Sequence, residues 1–228
     1  MYPPHDLNER SFNTEGRDIC KLGLFKQVSG VYTVYVETKD QIFAAARAAF
    51  DRDGQDGLSL RDIAREVGIT PMAIYRHYKD KQALIDALVL DGLAEWSARA
   101  EALPQDDPVV WFEAMGEAYL DFALQKPRRF EAAFLTPTKV ARRYPDDFVA
   151  GRSPAGVLYL KMFDRMRAAG VLADVEPIEI MITIAGLSQG LITLYRAGRI
   201  AGGEAEFRAL FLRAMKHCIQ SFLTEAIP

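Results

Sequence analysis

The sequence predicts an all-α protein: an N-terminal three-helix head built on a helix-turn-helix, with a larger helical body behind it. Three observations carry this. Residues 57–81 spell two short capped helices around a glycine turn. The patterned segments after residues 103–108 repeat their apolar residues at helical spacing. The one strongly β-prone run, 31–36, has no evident partner strand.

The elements follow in chain order. Residues 1–37 open with Pro3-Pro4 and mixed polar residues and read as a poorly ordered extension. Thr38 opens the first helix, with Gln41 as the second half of a capping box, and Ile42, Ala46, Ala49 and Phe50 form its apolar stripe. Asp53-Gly54 and Asp56-Gly57 turn the chain. Ser59 caps the second helix, with Asp62 three residues on, and Leu60, Ile63, Ala64 and Val67 share one face. Gly68 stops that helix where a left-handed residue is cheapest. Thr70 caps the third helix and Pro71 takes its first position, where a missing N–H costs nothing. Ile74 and Tyr78, one turn apart, face inward and leave Met72, Ala73, Tyr75, Arg76 and His77 outside. This is a helix-turn-helix whose second helix suits the DNA major groove. Asp80 caps a fourth helix that runs through Leu84, Leu88 and Trp96 to about residue 102.

Residues 103–108, Leu-Pro-Gln-Asp-Asp-Pro, form a linker. Helices are then expected over 109–125, 127–134, 154–169, 177–197 and 204–224, with 136–153 as a loop punctuated by Pro137, Pro145 and Gly151.

Composition sets the bounds. A chain of 228 residues, half of them hydrophobic, makes one large or two small domains with sizeable cores. The net charge of −3 argues against wholesale coating of nucleic acid, yet Arg61, Arg65, Arg76, Lys79 and Lys81 outnumber the acids between them. Phosphate binding needs only that local excess. Cys20 and Cys218 stand far apart without metal-ligand or disulfide spacing, which fits a reducing cytoplasm. The N-terminus lacks the basic-then-apolar order of a secretory signal. The longest apolar run, 178–195, carries Glu179, Ser188 and Gln189 and reads as a buried or interface helix, so no membrane partner is expected. No glycine-rich phosphate loop, nucleophile elbow or histidine pair on one helix face occurs. The sequence therefore predicts no catalytic residue, no metal site and no cofactor.

Residue by residue, Ile63-Ala64-Arg65-Glu66-Val67-Gly68-Ile69, Ile74-Tyr75-Arg76-His77-Tyr78 and Lys81-Gln82-Ala83-Leu84 resemble the tetracycline-repressor (TetR) family of one-component bacterial regulators. The resemblance runs from about Thr38 to Leu88. Further on, residues 118–127 look like the C-terminal domain type named for a Trp-His-Gly motif. At the corresponding place this chain has Leu187-Ser188-Gln189-Gly190, keeping only the glycine. The resemblance implies a DNA-binding domain over 38–84 and a helical ligand-binding and dimerisation domain over 85–228. It also implies a double-stranded operator, a small-molecule effector, a homodimer, and repression as the default.

The candidate DNA-binding residues are Thr38, Ser59, Arg61, Thr70, Pro71, Met72, Ala73, Tyr75, Arg76, His77, Lys79 and Lys81. Arg76 has the fork that reads guanine, though a phosphate contact is the plainer reading. Met72 and Ala73 suit thymine methyls. Thr38, Ser59, Lys79 and Lys81 cluster at helix N-termini, where free N–H groups and the dipole favour anions. The resemblance adds Tyr75 and Lys81 as phosphate contacts. The candidate pocket set is Phe112, Met115, Tyr119, Phe122, Phe134, Tyr159, Met162, Phe163 and Met166, with Gln189 and Thr193 as polar contacts. Aromatic and methionine residues at this spacing are more often ordinary core. The set points to a small, mostly apolar effector that would push on the fourth helix and change the spacing of two reading heads. The last two helices are expected to pair across a two-fold axis through Ile182, Ala185, Leu191, Leu194, Phe207, Phe211 and Met215.

Two function classes follow. One is a ligand-responsive, dimeric transcriptional regulator. The other is a helical adaptor or enzyme whose helix-turn-helix makes protein contacts, which would call for a larger apolar patch and no cationic rim around 72–77.

Overall fold

The computed structural model describes residues 25–28, 31–34 and 37–224. The body is all-helical, as the period predicts. A short antiparallel hairpin precedes it, β1 (Phe25–Val28) with β2 (Val31–Val34), in the register Phe25↔Val34 and Val28↔Val31. The β-prone run thus has a partner after all, across the two-residue spacing that hairpins favour. Residues 1–24, where most of the expected poorly ordered extension falls, lie outside the described residues, as does Cys20.

Four helices make the head: α1 (Thr38–Asp53), α2 (Leu60–Val67), α3 (Pro71–Ile74) and α4 (Lys81–Glu101). Local signals set most of their ends. Ser59 Oγ accepts the Asp62 N–H at 3.3 Å, and Gly68 takes φ 77° at the α2 terminus. Asp80 accepts the Ala83 N–H at 2.7 Å at the start of α4. Two expected caps do not form. Glu37, not Thr38, is the N-cap of α1 through its backbone carbonyl, and Thr70 caps α3 by position without a side-chain bond. Ile42, Ala46, Phe50, Ile63, Ile74 and Leu84 fill this head's core.

The body comprises α5 (Pro108–Gln125), α6 (Pro127–Phe134), α7 (Asp146–Val149), α8 (Pro154–Ala168), α9 (Pro177–Arg196) and α10 (Glu204–Gln220). Asp107 caps α5 through Val109 and Val110, so the linker is a tight corner between α4 and α5. The loop expected over 136–153 contains the single turn α7. α10 ends four residues sooner than its apolar pattern suggests. There the chain turns back so that Leu223 bridges Leu172 and Ala173 N–H donates to the Phe222 carbonyl. Trp111, Phe122, Phe130, Phe163, Phe207 and Phe211 are fully buried in the body core.

The two cores meet along α4. Its first half, through Val89, packs into the head, while Trp96 and Ala100 belong to the body. α6 reaches the same junction, with Ala132 in the head core and Ala133 in the body core. Gly92 lets α4 and α6 close up: a Cβ there would stand 3.1 Å from the Arg129 carbonyl oxygen and 3.2 Å from the Ala133 Cβ.

Candidate DNA-reading face and ligand cavity

Pro71 and the buried Ile74 fix a single α-turn, and the chain then tightens. Arg76 N–H donates to the Ala73 carbonyl at 3.2 Å and His77 N–H to the Ile74 carbonyl at 2.9 Å. The reading element is therefore shorter than the sequence suggests, and Arg76 stands on the turn after α3 rather than mid-helix. Ile74 and Tyr78 point into the core and drive their neighbours outward. Met72 is 73% exposed and Tyr75 49%. Thr70, Pro71, Arg76, His77, Lys79 and Lys81 are exposed, and Ala73 is half-buried. Arg61 is exposed on α2, while Ser59 and Thr38 are half-buried at their helix starts. Among the described residues, Arg61, Arg76, Lys79 and Lys81 make no ion pair. Lys39, which sequence reasoning passed over, holds its Nζ 6.0 Å from the Tyr78 ring centre and so brings the start of α1 beside the end of the reading turn. The result is an exposed turn, apolar at Met72 and rimmed by free cations.

The body holds a cavity of about 830 Å³ that is partly open to solvent. α4 lines it with Leu93 and Trp96, α5 with Phe112 and Tyr119, α6 with Phe134, α8 with Tyr159, and α9 with Met181, Ser188 and Gln189. Tyr119 is pinned edge-on by Trp96 at 5.0 Å, with Phe130 and Phe134 each at 5.2 Å. Its hydroxyl is buried without a hydrogen-bond partner, although Gln189 and Ser188 are its polar neighbours, and burial pushes the phenol pKa well up.

Of the residues put forward for a pocket, Phe112, Tyr119, Phe134, Tyr159 and Gln189 line this cavity. Met115, Phe122, Met162, Phe163 and Met166 do not; they are buried in the surrounding core, where flexible and aromatic side chains fill gaps. Thr193 faces outward on α9. Two residues put forward for a dimer interface also move: Phe207 and Phe211 are fully buried in the chain's own core. Leu191 is half-buried against that core, whereas Ala185 and Met215 line the cavity. Ile182, at the cavity's edge, and Leu194 remain on the outer side of α9, 43% and 44% exposed. Sequence reasoning missed Arg142, Tyr144 and Phe148, which the 136–153 segment lays against the cavity. Irregular backbone has no period to betray an inward side chain.

Two family descriptions match. Residues 42–88 match "Bacterial regulatory proteins, tetR family", and residues 112–218 match "Tetracyclin repressor-like, C-terminal domain". Together they cover well over half of the chain. The chain belongs to the TetR family. Its relatives include the tetracycline repressor protein class A from transposon 1721 of Escherichia coli, 28% identical over 73% of this chain and 72% of that protein. The uncharacterised regulator YobS of Bacillus subtilis is 28% identical over 43% of this chain, a match that spans about half of YobS. Among solved structures, a protein of unknown function from Rhodococcus sp. RHA1 superposes with a TM-score of 0.67 over 82% of this chain and 96% of that one, at 24% identity. A TetR variant from Acinetobacter baumannii AYE, in complex with minocycline, superposes with a TM-score of 0.56 over 80% and 94%, at 21% identity. These two likenesses establish the fold.

In this TetR-family chain the head and body are tied by an ion network at the α4–α6 junction. Arg129 on α6 donates to Asp51 of α1 at 2.8 Å and to Glu95 of α4 at 2.5 Å. Arg47 of α1 adds contacts to Asp91 and Glu95. The Arg129 side chain is only 14% exposed, whereas its partner Asp51 and the neighbouring Arg47 are 38% and 39% exposed, so the network has a sheltered centre and a solvated rim.

Proposed function

We propose that this protein is a ligand-responsive transcriptional regulator, by family default a repressor, that binds a palindromic operator as a cytoplasmic homodimer. A small, mostly apolar effector releases it. The observation that carries the reading is the course of α4. This one helix starts beside the reading turn, at Asp80 and Lys81, and about 20 Å on walls the cavity with Leu93, Trp96 and Ser97. A molecule wedged against Trp96 thus acts on the element that positions the head. The free cations around 61–81 supply phosphate contacts, and Met72 and Arg76 face outward for base edges. That a protein of the same fold is found in complex with minocycline is in keeping with a small-molecule effector. The proposed domain division is head 38–84 and body 85–228, with α4 shared between them.

Selection of bound sequences from random duplex DNA, repeated with a metabolite panel, tests this. The expected result is a two-fold symmetric sequence whose binding falls steeply with salt and is lost with one class of compound. Failure to retain any duplex at low salt would favour a protein-contact role for the head.

A further inference from the structure

Three buried polar atoms of residues lining the cavity make no well-formed hydrogen bond: Tyr119 Oη, which has only Gln189 and Ser188 beside it, Tyr144 Oη, which has only the Ile182 backbone beside it, and Arg142 Nε. Among the described residues only two others are orphaned, Trp111 Nε1 and Arg47 Nε, and Arg47 Nε faces Asp91 at 3.2 Å. Buried polar groups are nearly always satisfied, because leaving one unmade costs more than the bond contributes. Three such atoms gathered around one cavity point to a ligand that completes them.

Their chemistry narrows the ligand. A phenol can donate or accept, but a guanidinium only donates and stays charged. Arg142 makes no ion pair among the described residues. Asp147 on the same segment is already taken, accepting the Arg143 N–H at 2.6 Å and Arg152 Nε at 2.6 Å. The other charged residues lining the cavity are Glu101, Glu113, Glu117, Arg213 and Lys216. All five are exposed, so solvent screens them, whereas Arg142 is half-buried with its Nε fully covered. Among the charged residues lining the cavity, the least screened is therefore the Arg142 guanidinium, with the Asp147 carboxylate, held by Arg143 and Arg152, as its acidic neighbour.

We propose that the cavity takes an organic anion: an aromatic or polycyclic body whose acidic group pairs with Arg142 and whose polar substituents meet the Tyr119 and Tyr144 hydroxyls. This rests on reading the cavity as the effector site. Fluorescence titration of the whole protein with anilinonaphthalenesulfonate, and with its uncharged counterpart N-phenylnaphthylamine, separates the two ideas. The sulfonate should bind at least about tenfold more tightly than the neutral dye. Arg142→Gln should abolish that preference and leave the neutral dye's affinity unchanged, which also shows that the variant is folded. Equal affinities in the wild type, or a preference that survives Arg142→Gln, would overturn the anion assignment and leave the cavity reading standing. Binding of neither dye overturns both.

Discussion

Arg76 and Lys81 sit close in sequence, yet the proposed function gives them different work. Arg76 projects from the exposed turn after α3, where a planar fork can reach guanine. Lys81 is the first residue of α4, among free N–H groups that already favour a phosphate. Arg76→Ala should cost about 1–3 kcal/mol on the selected operator and little on random duplex. Equal losses on both would make Arg76 a phosphate contact. Lys81→Ala should weaken all duplexes alike and lower the salt slope by about one, and an unchanged slope removes it from the interface. Single residues were legible where their roles are local. Ser59, Gly68 and Asp80 act on backbone within three or four residues, so sequence neighbours suffice to place them. Met162 and Phe163 could not be told from pocket residues, because a helix stripe shows an inward face but not whether that face meets a neighbour or a void.

At the scale of elements, the helices announce themselves through period and caps, but their junctions do not. Nothing in the sequence around Arg129 marks it as the link between α6, α1 and α4, since Asp51 lies 78 positions away. Gly92 is equally silent, although without it α4 and α6 could not approach. The network should matter more than exposed pairs do. Arg129→Ala leaves the partly exposed Asp51 and the more sheltered Glu95 without their shared cation. The expected loss is about 2 kcal/mol, between the values for exposed and fully buried pairs. Urea unfolding of the variant and the wild type at equal protein concentration measures it. A loss below about 0.5 kcal/mol would place the network with screened surface pairs. If the cavity takes the proposed effector, the same variant should weaken its coupling to the head, so that operator affinity responds less to effector.

For the whole molecule the open question is what covers the outer face of α9. By length and apolarity α9 could cross a membrane, yet its inner face, with Ile180, Ile184 and Ile192, is buried in the body core. Outward it shows Ile182, Gly186, Gly190 and Leu194, spaced one turn apart. A Cβ at Gly186 or Gly190 would meet nothing within 4 Å, so the chain itself gives no packing reason for either glycine. A mid-helix glycine costs roughly 1 kcal/mol relative to alanine, a cost that close approach of a second helix would explain. On α10, which packs against α9, Leu210 is exposed as well. A second copy packed across a two-fold axis at α9 and α10 makes a four-helix bundle and sets two reading heads at a fixed spacing. Such a dimer predicts that Leu194→Glu, on an exposed position that the monomer's core does not use, yields folded monomers that lose operator binding. Gly190→Leu should do the same by bulk rather than charge. Light scattering at micromolar concentration, with circular dichroism as the folding control, reads the outcome. A wild-type monomer would overturn the dimer, and a Leu194→Glu protein that stays dimeric and binds operator normally would move the interface off this face.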